Sequence, residues 1–367
     1  MTLARNDHPM LHITAWSALS PYGHHAADFT AGVRDRRPTF APVPGQEGQL
    51  GCLVPHFEPR TVLGKKGTRD MNRVTALAVA AVGAVLDDDT APGPDTALVL
   101  GTTTGSVQSM TDFTRSSLTG ERPYDVEPGV IPNSVMNCAA AQCAIRHRIQ
   151  GPNTTLAGGR AGALLGLLYA HRLLRAGRAR TVLCGGAEEY STARAWLEAR
   201  SRDEAPALIG GVPGLIGGVP GLLGEGAAVL RLTDGTAPSA KPPPASVLSV
   251  HTRQTAEGSD PAETVRTTVA EALKRAEIAA PDVWAAAGTG LDPAETEALD
   301  ALFPRQAREE LPALGTLLGD TGAASAALQL ASAVASAHRA PGGHAVITSV
   351  DGQGLVAAAV LRMGEGN

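Results

Sequence analysis

Two rounds of strand–helix alternation, separated by one proline-rich stretch, restrict this chain to very few architectures. In the first round, apolar residues 10–14 read as a strand and 26–33 as a short helix behind a Pro21/Gly23 turn. Val74, Leu77, Ala78, Ala81, Val82 and Val85 recur at helical spacing and predict an amphipathic helix over 69–86. A buried strand at 96–100 ends in a Gly101–Gly105 turn, and 134–148 reads as a helix. Then come a strand at 154–157, a helix at 161–176 stopped by Gly177, and a strand at 181–184 stopped by Gly185-Gly186. Residues 234–244 (DGTAPSAKPPP) favour an extended connection. After them the alternation restarts: strand 247–251, helix 262–276, strand 283–287, helix 294–303, a small-residue helix over 322–337, and a closing hairpin of 344–349 with 355–363. Alternation in both halves predicts an α/β fold of two similar βα halves, 1–233 and 245–367, joined by the linker 234–244.

Composition narrows the function. Aromatic residues are 3% of the chain and the net charge is −5, which excludes a basic, base-stacking nucleic-acid face. With 43% hydrophobic residues the chain is rich enough to bury a core. The first residues, MTLARNDHPMLHITAW, lack a basic segment followed by a long apolar one. No apolar run reaches the ~20 residues that a membrane helix needs. A cytoplasmic location without membrane attachment is therefore expected. Cys52, Cys138, Cys143 and Cys184 form no CxxC pair, so neither a zinc ribbon nor a thioredoxin-type site is expected, and core thiols are. The heptapeptide LIGGVPG occurs twice, at 208–214 and 215–221; two copies are too few for a solenoid and read as a lengthened surface loop or a lid.

Residues 151–189 (GPNTTLAGGRAGALLGLLYAHRLLRAGRARTVLCGGAEE) resemble the central motif of β-ketoacyl synthases, in which Gly-Pro, a strand, a nucleophilic cysteine at a helix start, a helix and Gly-Gly-Ala-Glu follow in that order. Other stretches fit the family's order: Arg69-Asp70-Met71, Gly101–Gly105, Pro132-Asn133-Ser134, Gly224-Glu225-Gly226-Ala227, Gly288-Thr289-Gly290 with 292–297, and Gly322-Ala323-Ala324. The resemblance spans nearly the whole chain. It implies a thiolase-like fold, with the two halves packed as a layered α-β-α-β-α core.

Condensation needs a thiolate to carry the acyl chain, and donors for the enolate formed on decarboxylation. Counted from both flanking motifs, the position of the cysteine is Arg160. The first histidine of the family falls on Ala287, the second on Asp320, and the supporting lysine on Gly315. None of the ten histidines occupies a catalytic slot, and the glycine-rich loop near the C-terminus reads Ser349-Val350-Asp351-Gly352-Gln353-Gly354. An arginine is neither nucleophile nor general base. No catalytic residue, metal or cofactor is therefore expected.

Structural motifs kept and chemical residues lost resemble the chain-length factor of type II polyketide synthases, although those usually carry glutamine where this chain has Arg160. A buried, unpaired guanidinium at a helix start is costly, so Arg160 and Asp320 are expected to face each other as an ion pair; the alternative turns Arg160 to solvent or to backbone carbonyls.

The resemblance implies a heterodimer with an active ketosynthase, an acyl tunnel at the interface, and a visiting acyl-carrier protein. By position, Val107, Met110 and Thr114 on one helix face would limit chain length, with Phe113 as the competing gate; ordinary core is the other reading of this stripe. A gate without aromatic rings points to an extended, polyene-type product of secondary metabolism. The interface is expected on the 154–157 strand (Thr154, Thr155, Leu156) and the 133–148 helix with Asn133. Lys65, Lys66, Arg69 and Arg73 are weaker candidates for carrier docking than for a solvated surface. A divergent acyltransferase or condensing enzyme, using Ser349 or Cys138 as nucleophile, stays open beside this reading.

Overall fold

A computed structural model describes residues 10–86, 92–204, 215–216, 219–235 and 242–365. Nine strands form the main sheet: β1 (Leu11–Leu19), β2 (Thr96–Thr102), β3 (Asn153–Ala157), β4 (Thr181–Glu188), β5 (Gly226–Thr233), β6 (Ala245–Gln254), β7 (Val283–Ala287), β8 (His344–Val350) and β9 (Leu355–Met363). The longer helices are α1 (Ala26–Arg34), α2 (Arg73–Val85), α3 (Val107–Thr119), α4 (Cys138–His147), α5 (Gly162–Arg175), α6 (Thr192–Glu204), α7 (Pro261–Ala276), α8 (Pro293–Leu302) and α9 (Ser325–Ala335). The strand order is β7-β8-β9-β6-β1-β5-β4-β2-β3. The first strand joins the halves: β1 pairs antiparallel with β5 along most of its length, and with β6 through Leu11, His12 and Ile13.

Local sequence explains where the helices begin. Asn72 and Ser106 accept hydrogen bonds from the third residue beyond them and cap α2 and α3. Asp-Pro pairs at 260–261 and 292–293 start α7 and α8, with the aspartate as cap and the proline in the first turn. Layering follows from which face each strand buries. Leu98, Leu100, Leu183 and Val229 pack against α2 and α4 on one outer side, and Val346, Ala358 and Val360 against α7 and α8 on the other. Between the two half-sheets lie α5 and α9, against Val99, Cys184 and Leu230 on one side and Ala285, Ile347 and Ala359 on the other. The result is the α-β-α-β-α layering of the thiolase-like fold. In α9 every residue from Ser325 to Val334 is buried, mostly Ala, Ser and Leu. Small side chains let this helix fit between the two half-sheets.

Three sequence expectations change. The strand predicted to stop at Gly185 runs on to Glu188. Glycine serves close packing there: a Cβ at Gly185 would lie 1.9 Å from the Ala228 carbonyl oxygen, and one at Gly186 2.1 Å from that of Ala323. The 134–148 helix is shorter, Cys138–His147, preceded by a 3₁₀ segment Pro128–Ser134 in which Pro132 and the turn replace α-helix. Asn133 therefore sits outside the helix and donates to the Asp70 carbonyl. Helix α6 has no counterpart in the sequence reading, because six of its 13 residues are charged and leave no long apolar stripe. Residues 208–214 and the linker core 236–241 lie outside the described residues; in the second heptapeptide copy, Leu215–Ile216 pairs antiparallel with Val219–Pro220.

Candidate functional site

Helices α5 and α9 begin alike. Each is preceded by a 3₁₀ turn opened by a glycine of positive φ: Gly159 (+49°) before Arg160-Ala161, and Gly322 (+48°) before Ala323-Ala324. The two turns meet at the centre of the molecule. Arg160 is 4% exposed. Its guanidinium donates from Nη2 to Asp320 Oδ2 at 2.5 Å and from Nε to Asp320 Oδ1 at 3.3 Å. Arg160 and Asp320, set 160 positions apart, thus close on each other in a buried fork, as a charge-compensation argument requires.

A second arginine completes the arrangement. Arg194, buried on α6, donates to the carbonyls of Glu189, Gly224 and Asp320. Its Nη2 lies 3.9 Å from Asp320 Oδ1. The backbone N–H of Gly322 also donates to Oδ1, at 2.9 Å. Burial alone would raise the Asp320 carboxyl; Arg160 first, then Arg194 and Gly322, outweigh it and hold it at about 2. Burial likewise opposes the charged form of Arg160, but Asp320, with Asp351 and Glu198 further out, raises its pKa. Arg160 Nη1 remains buried without a hydrogen-bond partner among the described residues. From the far side, Asp351 Oδ1 accepts the Arg160 backbone N–H at 3.1 Å.

The two other positions singled out by the resemblance differ in their surroundings: Ala287 borders a small cavity of about 100 Å³, and Gly315 is tightly packed. Ala287 ends β7 and is buried. A Cβ at Gly315 would fall 2.5 Å from both Leu291 and the Thr289 carbonyl, leaving no space for a lysine. Nearby, Glu295 accepts from Thr289 N, Thr289 Oγ1 and Thr348 Oγ1. Glu188 accepts from Thr103 Oγ1 and Ala323 N. Burial raises both carboxyls.

The alternative nucleophiles lack the surroundings they need. Cys138 is buried at the first turn of α4, where desolvation raises its thiol, and its Sγ meets Thr75 and Asn133 instead of a base. Ser349 is fully buried on β8, and its Oγ has no partner among the described residues. Cys184 lies inside β4 and is pushed up to about 12 by burial. Among the described residues, no group of three or more His, Cys, Asp or Glu side chains could hold a metal ion.

Of the chain-length candidates on α3, Val107 is buried, whereas Met110 is 40% exposed and Thr114 is exposed too. An ordinary-core reading thus fails for two of the three. Phe113 is half-buried and lines a cleft of about 620 Å³ with Met71, Asp112 and Val130. A larger cleft, about 1170 Å³, opens between residues 39–58 and the starts of α2 and α3, lined by Phe57, Arg73, Gln108 and Tyr190 among others. The two clefts share Asn72 and Ser109, and Arg160 lines neither. Asn133, Thr154, Thr155 and Leu156 fall on the rim that includes edge strand β3, which pairs with β2 on one side only. Arg73, which lines the larger cleft, is held by Glu225 with two hydrogen bonds, at 2.5 and 2.6 Å. Lys65, Lys66 and Arg69 are exposed.

Residues 11–203 match the family described as β-ketoacyl synthase, N-terminal domain, which is more than half of the chain. The chain belongs to the β-ketoacyl synthase family. Among solved structures, this family member is similar to "The ishigamide ketosynthase/chain length factor", with 42% identity, a TM-score of 0.87, and coverage of 96% of this chain and 99% of that one. It shares its fold with the apo "AntDE:AntF" complex, described as a type II PKS acyl-carrier protein with its ketosynthase (TM-score 0.77, 14% identity, 97% and 100% covered). Among curated relatives, 3-oxoacyl-[acyl-carrier-protein] synthase 2 of Synechocystis sp. is 25% identical over 190 residues, 49% of this chain and 45% of that protein. The alignment thus spans less than half the length of that relative. At the three positions where the resemblance would put the family's cysteine and two histidines, this chain has Arg160, Ala287 and Asp320.

Proposed function

We propose that this chain is the catalytically silent, chain-length-determining partner of an active ketosynthase in a type II polyketide synthase, working in the cytoplasm. The observation that carries the reading is the buried Arg160–Asp320 pair: the nucleophile position and the second histidine position neutralise each other, 2.5 Å apart. Such a centre cannot form an acyl-enzyme, because a guanidinium donates hydrogen bonds and does not attack carbonyls.

A silent subunit contributes surface. Among the described residues, eight of the eleven exposed large hydrophobic side chains lie between residues 107 and 145, including Met110, Leu118, Val135, Met136 and Ile145. They gather on α3, α4 and the segment between them, beside the open edge of β3, which supports this rim as the seat of the ketosynthase. On that side Val107, Met110 and Thr114 would line the far end of the acyl tunnel, with Phe113 behind them. Absence of rings on that face favours an extended, polyene-type chain. The carrier protein would deliver to the active subunit, with Lys65, Lys66 and Arg69 as secondary contacts. The halves 1–233 and 245–367 serve as one body in this role.

Co-expression with a ketosynthase that has its cysteine and two histidines tests the reading. The chain alone should take up no acyl group from acyl or malonyl thioesters, and the pair should condense. Met110→Trp in the pair should shorten the product by one or more extension units. Self-acylation of the lone chain, abolished by an alkylating reagent, would restore the enzyme alternative.

A further inference from the structure

The Arg160–Asp320 pair disposes of the nucleophile, but acyl transfer also needs a donor for the oxyanion, and the nucleophile's own backbone N–H at a helix start is well placed to be one. In this chain that N–H is already taken. Asp351 Oδ1 accepts it at 3.1 Å. The carboxylate is held there by its own turn: Gln353 N donates to Oδ2 at 3.2 Å, Gly354 N donates to the Asp351 carbonyl, and Asp351 N donates to the Leu355 carbonyl. The opposing loop is shaped around it, since a Cβ at Gly159 would lie 1.9 Å from Asp351 Oδ1. A carboxylate oxygen on a helix-start N–H presents the charge and hydrogen-bond demand of a tetrahedral oxyanion.

We infer that Asp351 occupies the acyl-oxygen site of this subunit, so that the centre is closed twice, by Arg160–Asp320 at the nucleophile and by Asp351 at the oxyanion donor. The inference rests on the silent-subunit reading and adds that returning a thiol does not by itself return acylation. With a thiol at position 160, acylation would run by addition of the thiolate to a thioester carbonyl, with the new oxyanion accepting the N–H of residue 160. That addition forms the enzyme C–S bond; collapse would then restore the C=O, break the donor's C–S bond and expel the donor thiolate, which takes up the proton lost by the enzyme thiol. Asp351 opposes both ends of this step: its charge disfavours the thiolate, and its oxygen fills the oxyanion's place.

The experiment compares wild type, Arg160→Cys, Arg160→Cys/Asp351→Asn and Arg160→Cys/Asp351→Gly in the full chain, with hexanoyl-CoA as donor. Adducts are read by intact mass and thiol ionisation by thiolate absorbance against pH. Asp320, Arg194 and Glu198 surround the new thiol in every variant, so differences report on residue 351. Relative to the single variant, Asn should give about tenfold more thiolate at neutral pH, from removal of one charge at near contact, with acylation still blocked by its side-chain oxygen. Gly should give both the thiolate and an acyl adduct, at least tenfold faster. Equal thiolate fractions with and without Asp351, or acylation of Arg160→Cys as fast as of the Gly double variant, would overturn the inference. Acylation of wild type would overturn the silent reading instead. If the cysteine variants fail to fold, Asp351→Gly in the wild-type background decides: amide exchange at Arg160 should quicken about tenfold or more once its acceptor is gone, and unchanged exchange refutes the contact.

Discussion

Removing one charge from the central pair should cost unequal amounts depending on which charge goes. In Asp320→Asn the Arg160 guanidinium, 4% exposed and with Nη1 already lacking a partner among the described residues, keeps only a neutral acceptor. Breaking a buried pair in this way costs about 3–5 kcal/mol. In Arg160→Met the Asp320 carboxylate still has Gly322 N–H at 2.9 Å and Arg194 at 3.9 Å. A carboxyl held at about 2 against 3.8 for the free group corresponds to about 2–3 kcal/mol. That sum is shared among Arg160, Arg194 and Gly322, so this variant should lose about 2 kcal/mol. A chain of 367 residues unfolds with an entropy of about 0.8 kcal/mol/K. The expected drops in midpoint are then about 5 °C for Asp320→Asn and about 2–3 °C for Arg160→Met, read by calorimetry or dye binding at pH 7. The double variant Arg160→Met/Asp320→Leu should recover most of the loss, because apolar replacements remove both desolvation costs together. Equal drops below 1 °C, or a larger loss for Arg160→Met, would refute the reasoning.

The same pair sets an acid limit. Because the folded pKa of Asp320 lies below its unfolded value, its contribution is complete above about pH 4 and disappears as the pH falls toward 2; urea midpoints of wild type and Asp320→Asn should converge across that window. Glu188, Glu189 and Glu295 act with the opposite sign, since burial raises their pKa values: stability falls as the pH climbs from the ordinary 4.5 through the folded values, and Glu295→Gln should flatten that slope. Iodoacetamide at pH 8 should label none of the four buried thiols until denaturant is added, with Cys52 and Cys184 pushed up to about 11 and 12. Ile145→Glu, at a side chain 72% exposed, should leave the chain's own melting temperature within about 1 °C while cutting co-purification with the ketosynthase at least tenfold.

Alternation of strands and helices was readable because each element buries one face, and a buried face leaves a period in the sequence. The central pair was readable for a different reason: motifs on both sides fix position 160, Asp320 follows Gly319 ahead of Gly322-Ala323-Ala324, and the two residues carry opposite charges. Arg194 left no such mark. It looks like one more surface arginine until α6 folds it inward to the neighbouring Glu189 carbonyl and to those of Gly224 and Asp320, 30 and 126 positions away. Asp351 stood out as a change in a glycine loop, but its partner is 191 positions away and a backbone N–H, which carries no residue signature. Gly185-Gly186 misled because glycine punctuates turns and also permits close approach, and only the neighbours at Ala228 and Ala323 tell the two apart.

Those glycines also decide how the molecule comes apart. At Gly186 the first half-sheet touches the turn before α9 backbone against backbone, with no side chain between to be loosened one rotamer at a time. Strand β1 meanwhile is hydrogen-bonded to both halves, so neither half owns a complete interior. Melting one half would strip the other of a wall, and heat should find a single cooperative unit, giving one absorption peak from two similar halves.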